Sequence, residues 1–408
     1  MRSFLKKAWS TLTVAVLSVS ALQADPFNDC DACCTPKVEP CYGYAYNPGV
    51  FIADCCGWYA NIAYLYWKPN QEGISAGTLN NLIESPVGVT ETEADSFDFL
   101  GTTDAKQVYP KFEWDSGFRI GIGYHLPCDS WSVGLEYTHY RTDTHTTFSS
   151  AFIDSLAGSS PTGISGSLFA PAYSAAFDST DIFSQTQVAV EVDWRIQFNQ
   201  LDLDFGREFY VARWMTLRPH AGLRALFINQ NYNIQKNATG FNQFAVETAL
   251  TNSIGQTREA IKMHNDFKGV GLEGGLDMSF DLGCNLAFYS ELGAGATFGR
   301  ARVTQRTSAT NQFGVTIITT TEPINYRITD NYDTILCNAD MAFGLRWRQR
   351  VNCDESLLTV NFGYEEHIFF GYNRFRNIVG PSLQNVITNS PTGNLSFYGI
   401  VLSAAIDF

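Results

Sequence analysis

The sequence has few basic residues and no long apolar run. Of its 408 residues, 27 are Lys or Arg and 41 are Asp or Glu, which gives a formal net charge of −14 at pH 7. Nucleic-acid binding needs a basic face, so this balance argues against it. Beyond the N-terminal segment, no stretch approaches the roughly 18 consecutive apolar residues that a membrane-spanning helix requires. We therefore expect neither a nucleic-acid-binding protein nor a transmembrane helix.

The usual catalytic and cofactor motifs are also missing. The motifs G-x-S-x-G, H-E-x-x-H and C-x-x-C-H do not occur, and the six histidines are scattered. The stretch GVGLEG, Gly269 to Gly274, has G-x-G-x-x-G spacing, but it lies inside an alternating strand pattern. A dinucleotide site needs a strand before this motif and a helix after it. We therefore expect no enzymatic activity and no cofactor.

The first 24 residues have the form of a secretory signal peptide. Arg2, Lys6 and Lys7 precede the mostly apolar stretch from Ala8 to Val19, and Ala24 offers a small residue before a cleavage point. The apolar stretch is short for a membrane span, which favours a removed signal over an N-terminal anchor helix. Export would place the mature chain in a compartment where disulfides persist.

Alternation of apolar and polar residues is the strongest pattern in the chain. The segment GFRIGIGYHL, Gly117 to Leu126, places Phe, Ile, Ile, Tyr and Leu on one face and Gly, Arg, Gly, Gly and His on the other. Such two-residue periodicity predicts a β-strand. A shift in phase near Phe198 suggests a bulge or bend in one strand. Nine further segments alternate in the same way: 58–67, 131–138, 188–205, 217–227, 270–280, 286–298, 339–347, 358–365 and 398–408.

The connections between these ten segments alternate between short and long. Strict alternation is typical of an antiparallel meander with tight turns at one rim and long loops at the other, as in outer-membrane barrels. The short connections are 127–130, 206–214, 281–284 and 349–356. The long connections are 69–111, 149–185, 231–263, 303–330 and 371–394.

We therefore predict an all-β protein, a closed antiparallel transmembrane β-barrel with long extracellular loops and short periplasmic turns. Several segments have the roughly 9–11 residues that a tilted membrane strand needs, whereas strands of a secreted sandwich usually have about five or six. Ten strands are expected, or 12 or more if loop residues such as 315–321 form hairpins. The predicted organisation is a signal peptide at 1–24, a cysteine-rich periplasmic segment at 25–57 and the barrel at 58–408.

The polar face of the strands would line the lumen of such a barrel. Aromatic residues cluster near the predicted strand ends, where interfacial girdles form: Trp58, Tyr59, Trp67, Trp131, Tyr210, Trp214, Trp347, Phe369, Phe370 and Tyr372. Phe408 ends the chain on the lipid-facing side, as an outer-membrane insertion signal would. The predicted pore-lining residues are Arg119, Glu136, Arg195, Asp202, Asp204, Arg218, Arg224, Glu273, Asp277, Glu291, Asp340, Arg346, Arg348 and Glu365.

Long stretches resemble the MOMP-like pore-forming outer-membrane proteins of Legionella and Chlamydiales, over about 58–408. The resemblance implies a bacterial outer-membrane location and porin-like activity, and chlamydial members are linked by disulfides into an envelope network. The stretches are DLDFGREFYVARWMTLRPHAGLRALFINQNYN, GVGLEGGLDMSFDLGCNLAFYSELGAGATFGR, LRWRQRV and LLTVNFGYEEHIFFGYNRF.

Two functions fit these observations. The first is a porin through which small hydrophilic solutes or ions diffuse passively along a charged lumen. The second is a structural or adhesive surface barrel with a plugged lumen, linked by disulfides within the envelope. Outer-membrane lipid is the expected partner of both, together with disulfide-linked envelope proteins or further copies of the chain.

The cysteines cluster on the predicted periplasmic side. Adjacent cysteines and the absence of an ordered tetrad favour disulfides over a zinc site, within the chain or between chains. Only Cys337 falls in a predicted strand. The disulfide candidates are Cys30, Cys33, Cys34, Cys41, Cys55, Cys56, Cys128, Cys284 and Cys353.

Overall fold

A computed structural model describes residues 57–82, 102–126, 131–153, 165–171, 185–212, 214–246, 249–313, 324–351, 356–375, 377–379, 387–389 and 393–408. The predicted signal peptide and nearly all of the cysteine-rich segment lie outside these ranges. Among the described residues, no helix is long and apolar enough to cross a membrane. The strands are β1 Gly57–Gln71, β2 Gly77–Leu82, β3 Thr102–Val108, β4 Asp115–His125, β5 Trp131–Ile153, β6 Ser165–Pro171, β7 Gln185–Arg207, β8 Phe209–Ala212, β9 Met215–Val246, β10 Ala249–Gly283, β11 Leu286–Phe313, β12 Ile324–Val351, β13 Ser356–Phe369, β14 Asn377–Val379, β15 Ile387–Asn389 and β16 Leu395–Asp407.

Ten of these strands form a closed antiparallel barrel, which confirms the predicted fold and strand number. Their order around the barrel is β1, β4, β5, β7, β9, β10, β11, β12, β13 and β16, and β16 pairs with β1 to close the ring. The remaining strands belong to the connections. β2 pairs with β3 and β6, β8 pairs antiparallel with the first residues of β9, and β14 pairs with β15.

The register sets the tilt and the width of the barrel. The Cα partners followed from Tyr59 around all ten strands lead to Gln71, twelve residues further along β1. A closed sheet with this stagger must have strongly tilted strands. A barrel of about eight strands is just wide enough for side chains to fill, so ten strands enclose little more room than that.

The strands continue far beyond the predicted membrane span. Residues 231–263 were expected to form a long loop, but β9 runs to Val246 and β10 starts at Ala249. Residues 303–330 likewise contain the ends of β11 and β12. The expectation was wrong because the outward face of these extensions meets water rather than lipid. Asn229, Asn231 and Asn233 occupy that face of β9, so the apolar outer face used to recognise strands ends here.

The phase shift near Phe198 reflects a change of environment and not a bulge. β7 pairs with β5 without a register shift, and its shift against β9 lies only at its start, between Gln185 and Gln187. Ile196 and Asp202 therefore point to the same, inner side. On the periplasmic side of Phe198, from Leu201 to Phe205, the outward residues are apolar and meet lipid. On the extracellular side, from Val190 to Ile196, the inward residues are apolar and form a core.

Glycines on the inner face allow neighbouring strands and side chains to approach closely. A Cβ added at Gly271 would collide with the carbonyl oxygen of Ala296, whereas one added at Gly293 would lie 3.6 Å from the Asp340 side chain. We expect Gly271→Ala to lower the free energy of unfolding by about 1–3 kcal/mol, as overpacking does. Gly293→Ala, on the adjacent strand, is the matched control with little expected effect. Urea titration of the refolded barrel measures both, and equal values for the two variants would contradict the prediction.

Candidate functional site

The inside of the barrel carries a network of charged side chains centred on Arg224 of β9. Its guanidinium contacts Asp202 of β7 at 2.8 Å, Asp340 of β12 at 2.5 Å, and Glu273 of β10. The arginine side chain is only 7% exposed. Because β9 and β12 are not neighbours, the contact with Asp340 bridges the lumen rather than one strand pair. Arg224 therefore links β7 and β9 on one side of the lumen to β12 on the other.

A second group, on the facing wall, centres on Arg119 of β4. Its guanidinium lies 3.2 Å from Glu136 and 3.1 Å from Glu365 of β13. The indole Nε1 of Trp67 donates to the other oxygen of Glu365 at 2.8 Å. This group also spans strands that are not neighbours.

His367 joins the two groups. Its Nδ1 lies 2.8 Å from Asp340 Oδ1, and its Nε2 lies 3.8 Å from Glu365 Oε2. A chain of contacts therefore runs from Glu136 through Arg119, Glu365, His367 and Asp340 to Arg224, across the lumen. Every carboxylate in that chain has a basic partner, which offsets the cost of removing charge from water.

A lower ring of charges lies towards the periplasmic rim. Arg218 contacts Asp204 and lies 2.8 Å from Asp277, and His220 lies 3.5 Å from the same Asp277. Arg346 lies 3.5 Å from Glu291. Arg348 lies 3.7 Å from Asp281 and donates to Ser279 at 2.9 Å.

Of the fourteen residues predicted to line a pore, Arg195 is on the wrong side. It is exposed on the outer face of β7, opposite the inward Trp194 and Ile196, in the part of the strand above the lipid-facing belt. The other thirteen take part in the inner charge contacts described above. His220 and His367 also face inwards but are not among the fourteen predicted residues. Each lies two residues after a predicted one, Arg218 or Glu365, and therefore on the same face of its strand.

An aromatic layer fills the lumen on the extracellular side of the charges. Phe198 lies with its ring centroid 5.0 Å from Phe397 and 5.5 Å from Phe369, and Tyr140 lies 5.4 Å from both Phe397 and Trp67. None of these five side chains is more than 1% exposed. They come from five different strands, β1, β5, β7, β13 and β16, so they form one layer of contacting rings inside the barrel.

Two connecting segments pack against this layer on its extracellular side. Residues 72–76 follow β1 and residues 370–375 follow β13, and both place apolar side chains, Ile74 and Phe375, in fully buried positions. The Tyr232 hydroxyl donates to the Ile74 carbonyl at 3.1 Å, and the Asn265 amide donates to the Tyr372 carbonyl at 3.3 Å. These segments are therefore bound to the inner walls.

The outer surface confirms the lipid-facing side and corrects part of the predicted girdle. Phe408 is 61% exposed on the outer face, and its backbone hydrogen-bonds with Trp58 on β1. Trp58, Trp131, Trp214 and Trp347 lie on or near that surface at the periplasmic end. Four residues assigned to the girdle by position instead face inwards or lie buried: Tyr59, Trp67, Phe369 and Tyr372.

Two cysteines lie within the described residues, and neither forms a disulfide there. Cys284 is exposed in the tight turn between β10 and β11, as predicted. Cys337 is exposed on the outer face of β12. The other eight cysteines lie outside the described ranges. No group of metal-binding side chains occurs within the described ranges.

Comparison with known proteins gives a family but little structural detail. A family sequence model described as Legionella pneumophila major outer membrane protein precursor matches residues 54–408. No curated protein matches the chain.

Among solved structures, the Escherichia coli outer-membrane protease OmpT is 11% identical, with 88% of this chain and 98% of that chain covered and a TM-score of 0.28. A mutant of the TodX monoaromatic hydrocarbon channel is 7% identical, with 88% and 92% covered and a TM-score of 0.28. A Pseudomonas aeruginosa FadL homologue is 9% identical, with 87% and 90% covered and a TM-score of 0.23. Scores this low carry no argument about function.

Proposed function

Because the chain belongs to the family of the Legionella pneumophila major outer membrane protein and lies in the bacterial outer membrane, we propose that it is a surface barrel whose resting lumen is closed. In this role the barrel holds long extracellular connections on the cell surface and a cysteine-rich segment on the periplasmic side. Disulfide bonds from that segment to other envelope proteins stay a prediction.

The aromatic layer is the observation that supports this proposal. Trp67, Tyr140, Phe198, Phe369 and Phe397 contact one another inside the barrel from five strands, and each is at most 1% exposed. Below the layer, the contacts from Arg119 to Arg224 cross the lumen a second time. A diffusion pore needs a continuous wet path, and wide channels belong to barrels of 16 to 18 strands.

Planar-bilayer recording of the refolded, full-length protein tests the proposal. We expect no conductance steps from wild-type barrels at moderate voltage. Insertion is checked separately by recovering folded protein from the same proteoliposomes. Discrete open-channel steps from wild-type protein would contradict a closed resting lumen.

Passive passage of small ions is the second candidate, and the charge of the lumen favours it. Eight of the predicted lining residues that face inwards are carboxylates and five are arginines. The side chains of Glu136 and Glu291 are partly exposed, at 34% and 42%. If the layer opens, an excess of negative charge favours cations over anions. Cation-selective steps in the recording would support this candidate.

We propose no catalytic activity for the barrel. OmpT is a protease by name, but 11% identity and a TM-score of 0.28 carry no function to this chain. The buried histidine, His367, is held between Asp340 and Glu365 within the ion-pair chain. That contact network accounts for its position without a substrate.

A further inference from the structure

A cluster of basic side chains lies on the outer wall of the barrel, directly above its lipid-facing belt. We call it the basic patch. It lies on the outward faces of β10, β11 and β12, and all its members are exposed. It holds seven of the 27 basic residues in a chain of net charge −14. Its members are Arg258, Lys262, Lys268, Arg300, Arg302, Arg306 and Arg327.

The patch places like charges directly opposite each other on neighbouring strands. Lys262 pairs in register with Arg306, and Arg306 pairs in register with Arg327 on the next strand. Lys268 pairs with Arg300 in the same way. Like charges in directly opposite positions destabilise a sheet. Such an arrangement is tolerable when an external anion lies against it.

Few carboxylates within the patch offset this charge. Lys268 lies 3.3 Å from Asp266, and Arg300 lies 3.0 Å from Asp333. In the described part of the chain, the other five basic residues have no ion pair. The row of Lys262, Arg306 and Arg327 therefore presents three uncompensated charges in one line.

The position of the patch identifies the kind of anion. Val270 and Phe298 are exposed to lipid two residues below Lys268 and Arg300 on the same faces. The patch therefore begins where the acyl chains end and the headgroups of the outer leaflet begin. Arginine and lysine bind phosphate oxygens through charge-assisted hydrogen bonds.

We propose that the basic patch binds the phosphorylated headgroup of an outer-leaflet glycolipid. Lys268 and Arg300 lie at the level of phosphates next to the acyl chains. The upper row, six residues further along β10 and β11, reaches anionic groups on the headgroup sugars, because a strand rises about 3.3 Å per residue. This site is independent of whether the lumen conducts.

Binding of fluorescent deep-rough lipopolysaccharide, which carries the lipid A phosphates and anionic sugars above them, to the protein refolded in dodecyl maltoside tests the proposal. The triple variant Lys262→Gln, Arg306→Gln, Arg327→Gln should bind it at least about tenfold more weakly, since each tenfold step needs only one good contact. Wild-type protein should also bind monophosphoryl lipid A, which has the same kind of acyl chains, more weakly than diphosphoryl lipid A, because Lys268 and Arg300 lie at the level of its phosphates.

The matched control removes three exposed basic residues outside the patch, by Lys111→Gln, Arg141→Gln and Arg195→Gln. It changes the net charge equally and should retain wild-type affinity. Both triples must migrate as folded barrels on unheated gels, and a second patch variant, Lys268→Gln with Arg300→Gln, is used if the first fails to fold. Equal affinity of patch and control variants would overturn the proposal. If the patch triple lost binding to heparin while its binding to lipopolysaccharide stayed unchanged, the ligand would be a soluble polyanion and the proposal would be overturned.

Discussion

Replacing Phe198, Phe369 and Phe397 together with alanine is expected to convert a silent barrel into a conducting one. The three rings form the centre of the aromatic layer, with centroids 5.0–6.2 Å apart. Their removal leaves a cavity between the charged part of the lumen and the outside, into which water can enter. Planar-bilayer recordings of the triple variant should show steps that the wild type lacks. The carboxylates below should make these steps cation-selective.

A matched set of substitutions separates an opened lumen from a damaged barrel. Phe298, Phe343 and Phe362 lie on the lipid-facing surface. Alanine at these three positions removes the same atoms from the other side of the wall, so it should give no conductance. If the inner triple does not refold, Trp67→Ala with Phe397→Ala tests the same layer with less loss of packing. A folded inner variant that stays silent would show that the aromatic layer is not what closes the lumen.

Arg224→Met is expected to be the most destabilising substitution of a charged residue in the barrel. It keeps much of the side-chain volume but leaves Asp202, Glu273 and Asp340 without their shared partner. Breaking a buried ion pair by removing one partner typically costs about 3–5 kcal/mol. We expect a loss of this size in the free energy of unfolding, measured by urea titration of the refolded protein.

Two further variants make this measurement specific. Arg300→Gln breaks an exposed ion pair, in which the side chains are 72% and 53% exposed, so it should have little effect. Adding Asp202→Asn and Asp340→Asn to Arg224→Met removes most of the unpaired charge and should restore part of the lost stability. If Arg224→Met and Arg300→Gln lowered the free energy of unfolding equally, the ion pairs around Arg224 would be exposed to water rather than buried.

The membrane-level part of the barrel could be predicted from the sequence because two environments impose opposite preferences on alternate residues. Ile120 and Ile122 face lipid, whereas Arg119 and Gly121 face the interior, so the pattern gives both strand and side. The tight turns follow from the same pattern.

The extracellular half could not be predicted in this way because its outward face meets water. Trp194 and Ile196 are apolar, and in the lower half of the barrel an apolar residue faces lipid. In the upper half they face inwards, which reverses the assignment and places Arg195 outside. The filled lumen was also beyond the alternation pattern, because Trp67 and Phe397 meet only when strands from both ends of the chain are brought together.

The pairing of β1 with β16 bears on how the molecule can be made. Tyr59 lies opposite Asp407, so the seam joins the first and last strands of the barrel. Until the final strand has been synthesised and exported, β1 has an unpaired edge, which is prone to aggregation. Contacts so distant in sequence form slowly. Closure of the barrel is therefore expected late in assembly, and the free edge of β1 is an aggregation hazard until β16 pairs with it.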